Sequence, residues 1–138
     1  MAEYDDMNRG VIEEFRANAG VVGGYFAGAA IILINTIGAK SGNPKTFPLV
    51  YLPDGESWII FASAGGALKH PAWYHNLKTN PDITIEVGDE IIEASATEVT
   101  GTERDEIYAK QAALMPNFAE YEKLATTRKI PVVRLTRR

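Results

Sequence analysis

The sequence of 138 residues contains no cysteine. This absence excludes disulfides, thiolate metal ligands and cysteine nucleophiles together, and it favours a reducing compartment, so we expect a cytoplasmic protein. Basic residues are outnumbered, 14 against 18 acidic residues, and the net charge is -4. Binding to nucleic acid requires a basic surface that neutralises phosphates, so we expect no nucleic-acid partner and only a local cationic site.

Long hydrophobic runs are also missing. The longest apolar stretch, residues 25–34, is about half as long as a membrane-spanning helix must be. The first twenty residues are rich in acidic side chains, where a secretory signal would carry positive charge and an apolar core. We therefore expect no membrane span, and the length fits one domain over residues 1–138.

An amphipathic pattern opens the chain. Tyr4, Met7, Val11 and Phe15 recur at spacings of three and four, which predicts a helix over about residues 4–18. Acidic and basic residues alternate on its other face, so it should attract anionic lipid only weakly. We expect this helix to pack on the rest of the domain, and peripheral contact with a membrane is the alternative.

Segments rich in β-branched and aromatic residues predict six strands, at residues 30–36, 47–52, 57–63, 83–87, 90–100 and 130–135. Hairpin signals at residues 53–55 and 88–89 indicate an antiparallel meander. Helices are predicted at residues 71–77, 102–114 and 118–125, with Thr102 and Asn117 as N-caps of the last two. Closure of the sheet over about residues 29–136 would remove its exposed edges, so we expect a barrel.

The loop at residues 38–45 concentrates glycines, a serine and two lysines between the first two strands. Glycine-rich backbone can turn its N–H groups toward an anion, and lysines add positive charge. The loop therefore predicts a phosphate site, with a solvated hairpin loop as the alternative.

Two further segments could carry chemistry. His70 and His75 are five residues apart, so they do not share the helix face that a metal pair needs, and we expect no metal. Trp73 and Leu77 share a face, which is typical of core packing. Residues 115, 118 and 121 are Met, Phe and Tyr, a pattern that fits either a binding rim or the core.

Six ordered runs resemble the deazaflavin-dependent nitroreductase family, the A branch of the flavin/deazaflavin oxidoreductases. They span roughly residues 31–135 and lie at residues 35–42, 48–51, 62–66, 70–78, 116–121 and 127–133. The resemblance implies an α+β protein, a split β-barrel of about six mainly antiparallel strands with peripheral helices. It also implies coenzyme F420, in its reduced form, as hydride donor.

The resemblance implies three groups of site residues. The anionic tail of F420 is expected at Lys40, Ser41, Gly42 and Lys45, and the deazaflavin ring at Ser63, Ala64, Trp73, Tyr74 and Asn76. The acceptor is expected at Met115, Phe118 and Tyr121. Relatives often carry arginine at position 39, some carry lysine at 64, and nitroimidazole-activating members carry tyrosine at 115, where this chain has Ala39, Ala64 and Met115.

The expected reaction is hydride transfer to an electrophilic small molecule, a conjugated enone or lactone, a quinone or a nitroarene. Such a transfer leaves an anion that needs a proton, and Tyr121 is the catalytic candidate, with solvent as the alternative. Two other interpretations remain open at this point. One is an FMN-binding split-barrel oxidoreductase, and the other is a non-catalytic carrier of F420 or of a fatty acid inside the barrel.

Overall fold

The computed structural model describes the backbone of residues 2–24 and 28–138 and the side chains of residues 8–24 and 28–138. Four α-helices and six strands follow one another along this part of the chain. They are α1 (Ala2–Ala17), β1 (Ile31–Ile37), β2 (Pro44–Asp54), β3 (Ser57–Phe61), α2 (Ala72–Thr79), β4 (Asp82–Val87), β5 (Glu90–Val99), α3 (Gly101–Leu114), α4 (Asn117–Leu124) and β6 (Val132–Arg137). A short 3-10 turn, Ala64–Gly66, follows β3.

The strands close into an antiparallel barrel in the order β1-β2-β3-β6-β5-β4. This confirms the prediction of an α+β protein built on six antiparallel strands with peripheral helices. The predicted simple meander is wrong, because β6 lies between β3 and β5. The reason is α2: it connects β3 to β4 and lets β4 pair with β1 instead of β3.

The inside of the barrel is filled with side chains. Ile34 on β1 lies opposite Phe47 on β2 and Ile85 on β4, and all three belong to the same interior cluster. Trp73 and Leu77 of α2 join this cluster, so the helix closes one end of the barrel. A strand alternates its side chains between two faces, so alternate residues in the middle of the strands, such as Ile92 and Ala94 of β5, form this core.

Helices cover two parts of the outer barrel surface. Phe61 of β3 packs edge-on against Tyr108 of α3 and Phe118 of α4, with ring centroids 5.9 and 5.5 Å apart. Phe15 of α1 is fully buried in a cluster with Ile31 and neighbouring apolar side chains. The described part of α1 thus packs on the barrel, whereas Tyr4 and Met7 of the predicted apolar stripe lie outside the described side chains.

Three local predictions were wrong. α3 begins at Gly101, whose φ of +67° lets the chain turn directly out of β5, so Thr102 lies inside the first turn and does not cap it. Asn117 is the first residue of α4, and its amide bonds the side chain of Tyr121 instead of the helix backbone. β3 ends at Phe61, two residues before the predicted end, because Ser63 adopts helical backbone angles, with a φ of -75°, and begins the turn.

Candidate functional site

One end of the barrel collects the predicted cofactor segments. In an antiparallel barrel of this order, β1 and β3 end at the same rim at which β2 and β4 begin. The β1–β2 loop, the turn after β3 and helix α2 therefore lie at this rim. The topology brings the tail-binding and ring-binding candidates together although they are up to 36 residues apart in sequence.

The β1–β2 loop is held in a tight conformation by its own backbone. Gly38 N donates to Asn43 O at 2.8 Å, and Gly42 N donates to Gly38 O at 2.9 Å. Ser41 Oγ accepts a hydrogen bond from Asn43 N at 3.1 Å. A Cβ at Gly38 would displace Ser41 Oγ from its present position, and Gly42 has a φ of +72°, so this loop conformation favours glycine at both positions.

Both loop lysines are exposed at this rim. Lys40 stands on the loop itself, and Lys45 lies one residue into β2, with its Nζ 5.6 Å from the centre of the Phe47 ring. An exposed ammonium group on a short, backbone-fixed loop is suited to an anion that approaches from solvent. The predicted tail residues are therefore displayed together, and their role stays a prediction.

Asn76 ties this loop to helix α2. Its Oδ1 accepts a hydrogen bond from Ala39 N at 2.9 Å, and its Nδ2 donates to Thr36 Oγ1 at 3.0 Å. Thr36 Oγ1 in turn donates to Lys45 O at 2.9 Å. Asn76 is only 6% exposed. The side chain of Asn76, a predicted ring residue, thus holds the β1–β2 loop at Ala39 and, through Thr36, at Lys45.

The turn after β3 has an unusual backbone. Ala64, Gly65 and Gly66 have φ angles of +48°, +64° and +85° in succession. A Cβ at Gly66 would lie 2.9 Å from Leu124 Cβ, so this side of the turn packs tightly against α4. A Cβ at Gly65 would meet nothing within 4 Å, so the other side faces open space. The turn therefore presents exposed backbone over which a flat ring can lie.

Arg128, which the sequence reasoning did not select, holds this turn from behind. Its guanidinium donates to the carbonyl oxygens of Ala62, Ser63 and Ala67 at 2.8, 2.8 and 2.9 Å. Its Nη1 also lies 3.0 Å from His70 Nδ1. The one available signal was its place in the run at residues 127–133, because the pattern of residues around it gives no indication of these contacts.

Two predicted ring residues are largely covered. Trp73 is 4% exposed within the barrel core. Tyr74 is 7% exposed, and its hydroxyl donates to Glu98 Oε1 at 2.6 Å. Burial and the hydrogen bond to Glu98 raise the pKa of Tyr74 to about 12. A phenol of that pKa whose proton is already donated to a carboxylate is a poor acid for an added substrate.

The three predicted acceptor residues lie in different surroundings. Phe118 is 5% exposed and belongs to the core between the helices and the barrel. Met115 is half-buried, with its Sδ 3.3 Å from Gln111 Nε2. Tyr121 is half-buried, and its Oη accepts a hydrogen bond from Asn117 Nδ2 at 2.8 Å. Tyr121 is also the member nearest the turn, because a Cβ at Gly66 would lie 3.2 Å from its Cα.

Two cavities lie beside this region. One of about 470 Å³ is lined by residues of α4 and of the segment before β6, including Lys123, Arg128 and Lys129. The other, of about 170 Å³, lies under Tyr74 and Glu98. Neither is lined by the loop lysines or by the Ala64–Gly66 turn. The candidate site is instead an open part of the rim, with the two lysines exposed and open space beside Gly65.

No helix in the described part of the chain combines the length and the apolar character needed to cross a bilayer. The described residues also contain no group of three or more histidine or acidic side chains that could hold a metal ion.

Comparison with known proteins identifies the family. A family model described as F420H(2)-dependent quinone reductase matches residues 7–137. An F420H(2)-dependent quinone reductase of Mycobacterium tuberculosis is 39% identical over 127 residues, which cover 90% of this chain and 85% of that protein. These matches confirm the resemblance drawn from the sequence runs.

Solved structures agree with this result. An F420-H2 dependent reductase superposes with a TM-score of 0.69 at 36% identity, covering 77% of this chain and 93% of that one. A structure described as a domain-swapped dimer superposes with a TM-score of 0.70 at 32% identity, covering 97% and 98% of the two chains. The chain belongs to the F420H(2)-dependent quinone reductase family.

Proposed function

We propose that this protein reduces quinones with reduced F420 held at the rim of the barrel that α2 closes. As a member of its family the protein is an F420H2-dependent oxidoreductase, so the cofactor and the reaction type follow from membership. The quinone as acceptor, and the residues that hold cofactor and acceptor, are the proposal. The observation that carries it is the meeting of two exposed lysines and an open, glycine-containing turn at one rim.

The residues at the rim fit the chemistry of F420. Its tail carries phosphate and carboxylate groups, and Lys40 and Lys45 offer exposed ammonium groups on a loop whose backbone is fixed. Its ring is flat, and the exposed side of the turn at Gly65 allows a flat ring to approach the backbone closely. Trp73 belongs to the packed barrel core that lies beneath the site and supports it.

When bound, F420H2 supplies the hydride. The protein has to hold the acceptor close to the ring, exclude water and provide a proton. A quinone that gains a hydride becomes a hydroquinone anion, and one proton completes the hydroquinone. We assign this proton to Tyr121 Oη, because Tyr121 lies next to the turn and because the amide of Asn117 stabilises negative charge on its oxygen.

The carrier interpretation for a fatty acid has little structural support. Ile32, Ile34, Ile60, Ile85 and Leu135 are all completely buried, and they fill the barrel together with the aromatic side chains around them. A fatty acid would need an empty apolar channel of its own length. The rim, by contrast, can bind a ligand without any displacement of the core.

Binding and turnover together test the proposal. We expect the purified protein to bind F420 at least about tenfold more tightly than FMN, a difference of about 1.4 kcal/mol, when both are titrated in the same buffer. We also expect a water-soluble naphthoquinone to oxidise F420H2 in the presence of enzyme, with cyclohexenone and a nitroarene as comparison acceptors. Equal affinity for FMN would contradict the cofactor assignment, and F420 binding without quinone turnover would favour a carrier.

A further inference from the structure

Arg128 sits at the centre of a set of backbone contacts around the turn after β3. The three carbonyl oxygens that it bonds belong to Ala62, just before the turn, to Ser63, at its start, and to Ala67, just after it. Its neighbour Thr127 adds a hydrogen bond from Oγ1 to the Leu68 carbonyl at 2.8 Å. Two consecutive side chains thus hold the backbone on both sides of the turn.

The geometry of the guanidinium group explains why arginine is needed here. Its N–H groups form a rigid planar fork, and Nε, Nη1 and Nη2 each serve a different carbonyl. A lysine carries one compact ammonium group on a flexible stem, so it cannot reach three separated carbonyl oxygens in the same way. Arg128 is half-buried, and burial lowers the pKa of its guanidinium from the usual value.

The conformation that Arg128 holds is one that the chain adopts reluctantly. Ala64 carries a Cβ and yet has a φ of +48°, a region that alanine rarely occupies. The packing of Gly66 against Leu124 fixes one side of the turn, and nothing lies within 4 Å of a Cβ placed at Gly65. Two backbone hydrogen bonds also hold the turn, from Gly66 N to Ser63 O at 2.8 Å and from Ala67 N to Ala64 O at 3.2 Å. Arg128 adds a side-chain restraint on the carbonyls of Ala62 and Ser63, which flank the exposed turn.

We propose that Arg128 is a positioning residue, which fixes the Ser63–Gly66 backbone in the shape that accepts the deazaflavin ring. This inference rests on the proposed function, because it places the ring at that turn. Arg128 acts through the backbone, so its loss should weaken binding of the ring itself. Lys40, in contrast, is assigned to the tail, so its loss should weaken only ligands that carry the tail.

The experiment compares two ligands on three variants. F420 and a tail-less 5-deazaflavin, which has the ring and its sugar-alcohol chain only, are titrated by fluorescence quenching against wild type, Arg128→Lys and Lys40→Ala. We expect Arg128→Lys to weaken both ligands by the same factor, about tenfold, because a turn that is no longer held must be ordered when the ring binds. We expect Lys40→Ala to weaken F420 alone.

Arg104→Lys is the matched structural control. Arg104 is buried and donates from Nε and Nη2 to the Ile130 carbonyl at 3.1 and 2.7 Å, so it is also an arginine that holds backbone. Its variant should lower the melting temperature and leave both affinities unchanged. If Arg128→Lys does not fold, Thr127→Val replaces it and should weaken both ligands equally, by about twofold or more.

The outcomes separate the inference from the proposed function. If wild type binds F420 and Arg128→Lys binds both ligands as tightly as wild type, the positioning role is wrong and the proposed function stands. A loss of F420 affinity alone in Arg128→Lys would also overturn the role, because it would place Arg128 at the tail. If wild type binds neither ligand, the proposed function fails and the inference fails with it.

Discussion

The hydrogen bonds of Asn76 allow a quantitative prediction for Asn76→Ala. The substitution removes the acceptor of the Ala39 N–H and the donor to Thr36 Oγ1 from a position that is 6% exposed. Each hydrogen bond contributes about 1 kcal/mol net, and the space left by the amide adds a smaller amount. Ala39 is exposed, so its N–H can bond water in the variant, and this limits the cost. We expect the free energy of unfolding to fall by about 2 kcal/mol.

The same change should also affect the cofactor. With Asn76 gone, α2 no longer holds the β1–β2 loop, and Lys40 must be ordered when F420 binds. We expect F420 to bind about three- to tenfold more weakly, and the affinity for a tail-less deazaflavin to change less. This difference separates a residue that places the loop from one that contacts the ring directly.

Urea denaturation and F420 titration of the same protein preparations check both parts. Thr36→Val is the matched variant, because it removes the hydroxyl that links Asn76 to the Lys45 carbonyl and keeps the shape of the side chain. If the three residues form one network, the double variant should lose less stability than the sum of the single losses. A stability loss below about 0.5 kcal/mol in Asn76→Ala, or unchanged F420 affinity, would refute the reasoning.

Three further predictions concern the tail, the proton and α1. Lys40→Ala should weaken F420 binding about five- to thirtyfold at low salt and less at high salt, whereas substitution of another exposed lysine, Lys110→Ala, should leave F420 affinity unchanged. If Lys40→Ala binds F420 as tightly as wild type, the tail does not bind at this loop. Tyr121→Phe should keep F420 affinity but lower kcat by up to about a hundredfold with a quinone; an unchanged kcat would assign the proton to solvent. Arg16 holds the pKa of Glu86 below its usual value, so the pair stabilises the protein above about pH 4.5 and loses this effect as the pH falls further. Arg16→Met should lower the free energy of unfolding by about 1–2 kcal/mol at pH 7 and make the stability less sensitive to acid. An unchanged pH dependence of the melting temperature would contradict this prediction.

The elements of the fold could be predicted from local pattern, whereas the order of the strands could not. The β-branched runs located all six strands to within a few residues, because a strand with one buried face must alternate its side chains. The pairing of β3 with β6 depends on where α2 crosses, and that is decided by burial of Trp73 and Leu77 in the barrel. The spacing of Trp73 and Leu77 indicates a buried helix face, but it does not show which strands that face packs against.

The candidate site, like the fold, could be predicted only in part from the sequence. The glycines and lysines of the β1–β2 loop indicate an anion site by their own chemistry, and the structure displays them together at one rim. Asn76 and Arg128 act through hydrogen bonds to residues up to 66 positions away, so no local pattern could have assigned them. Phe118 is buried in the core, and its role toward the acceptor stays a prediction, because an aromatic residue at helical spacing fits a core as readily as a rim.

β6 pairs with both β3 and β5 and thereby closes the barrel. Of the six strands it is the last to leave the ribosome, and until it inserts, β3 and β5 each expose an unpaired edge. Arg128 stands four residues before β6 and donates to the Ser63 carbonyl, so we expect this contact to form when β6 inserts. We therefore expect closure of the barrel and completion of the rim to occur together, and we expect a ligand that binds the rim to stabilise the closed chain. If β6 detached from the barrel, β3 and β5 would again have unpaired edges, and β6 of a second copy could pair with them.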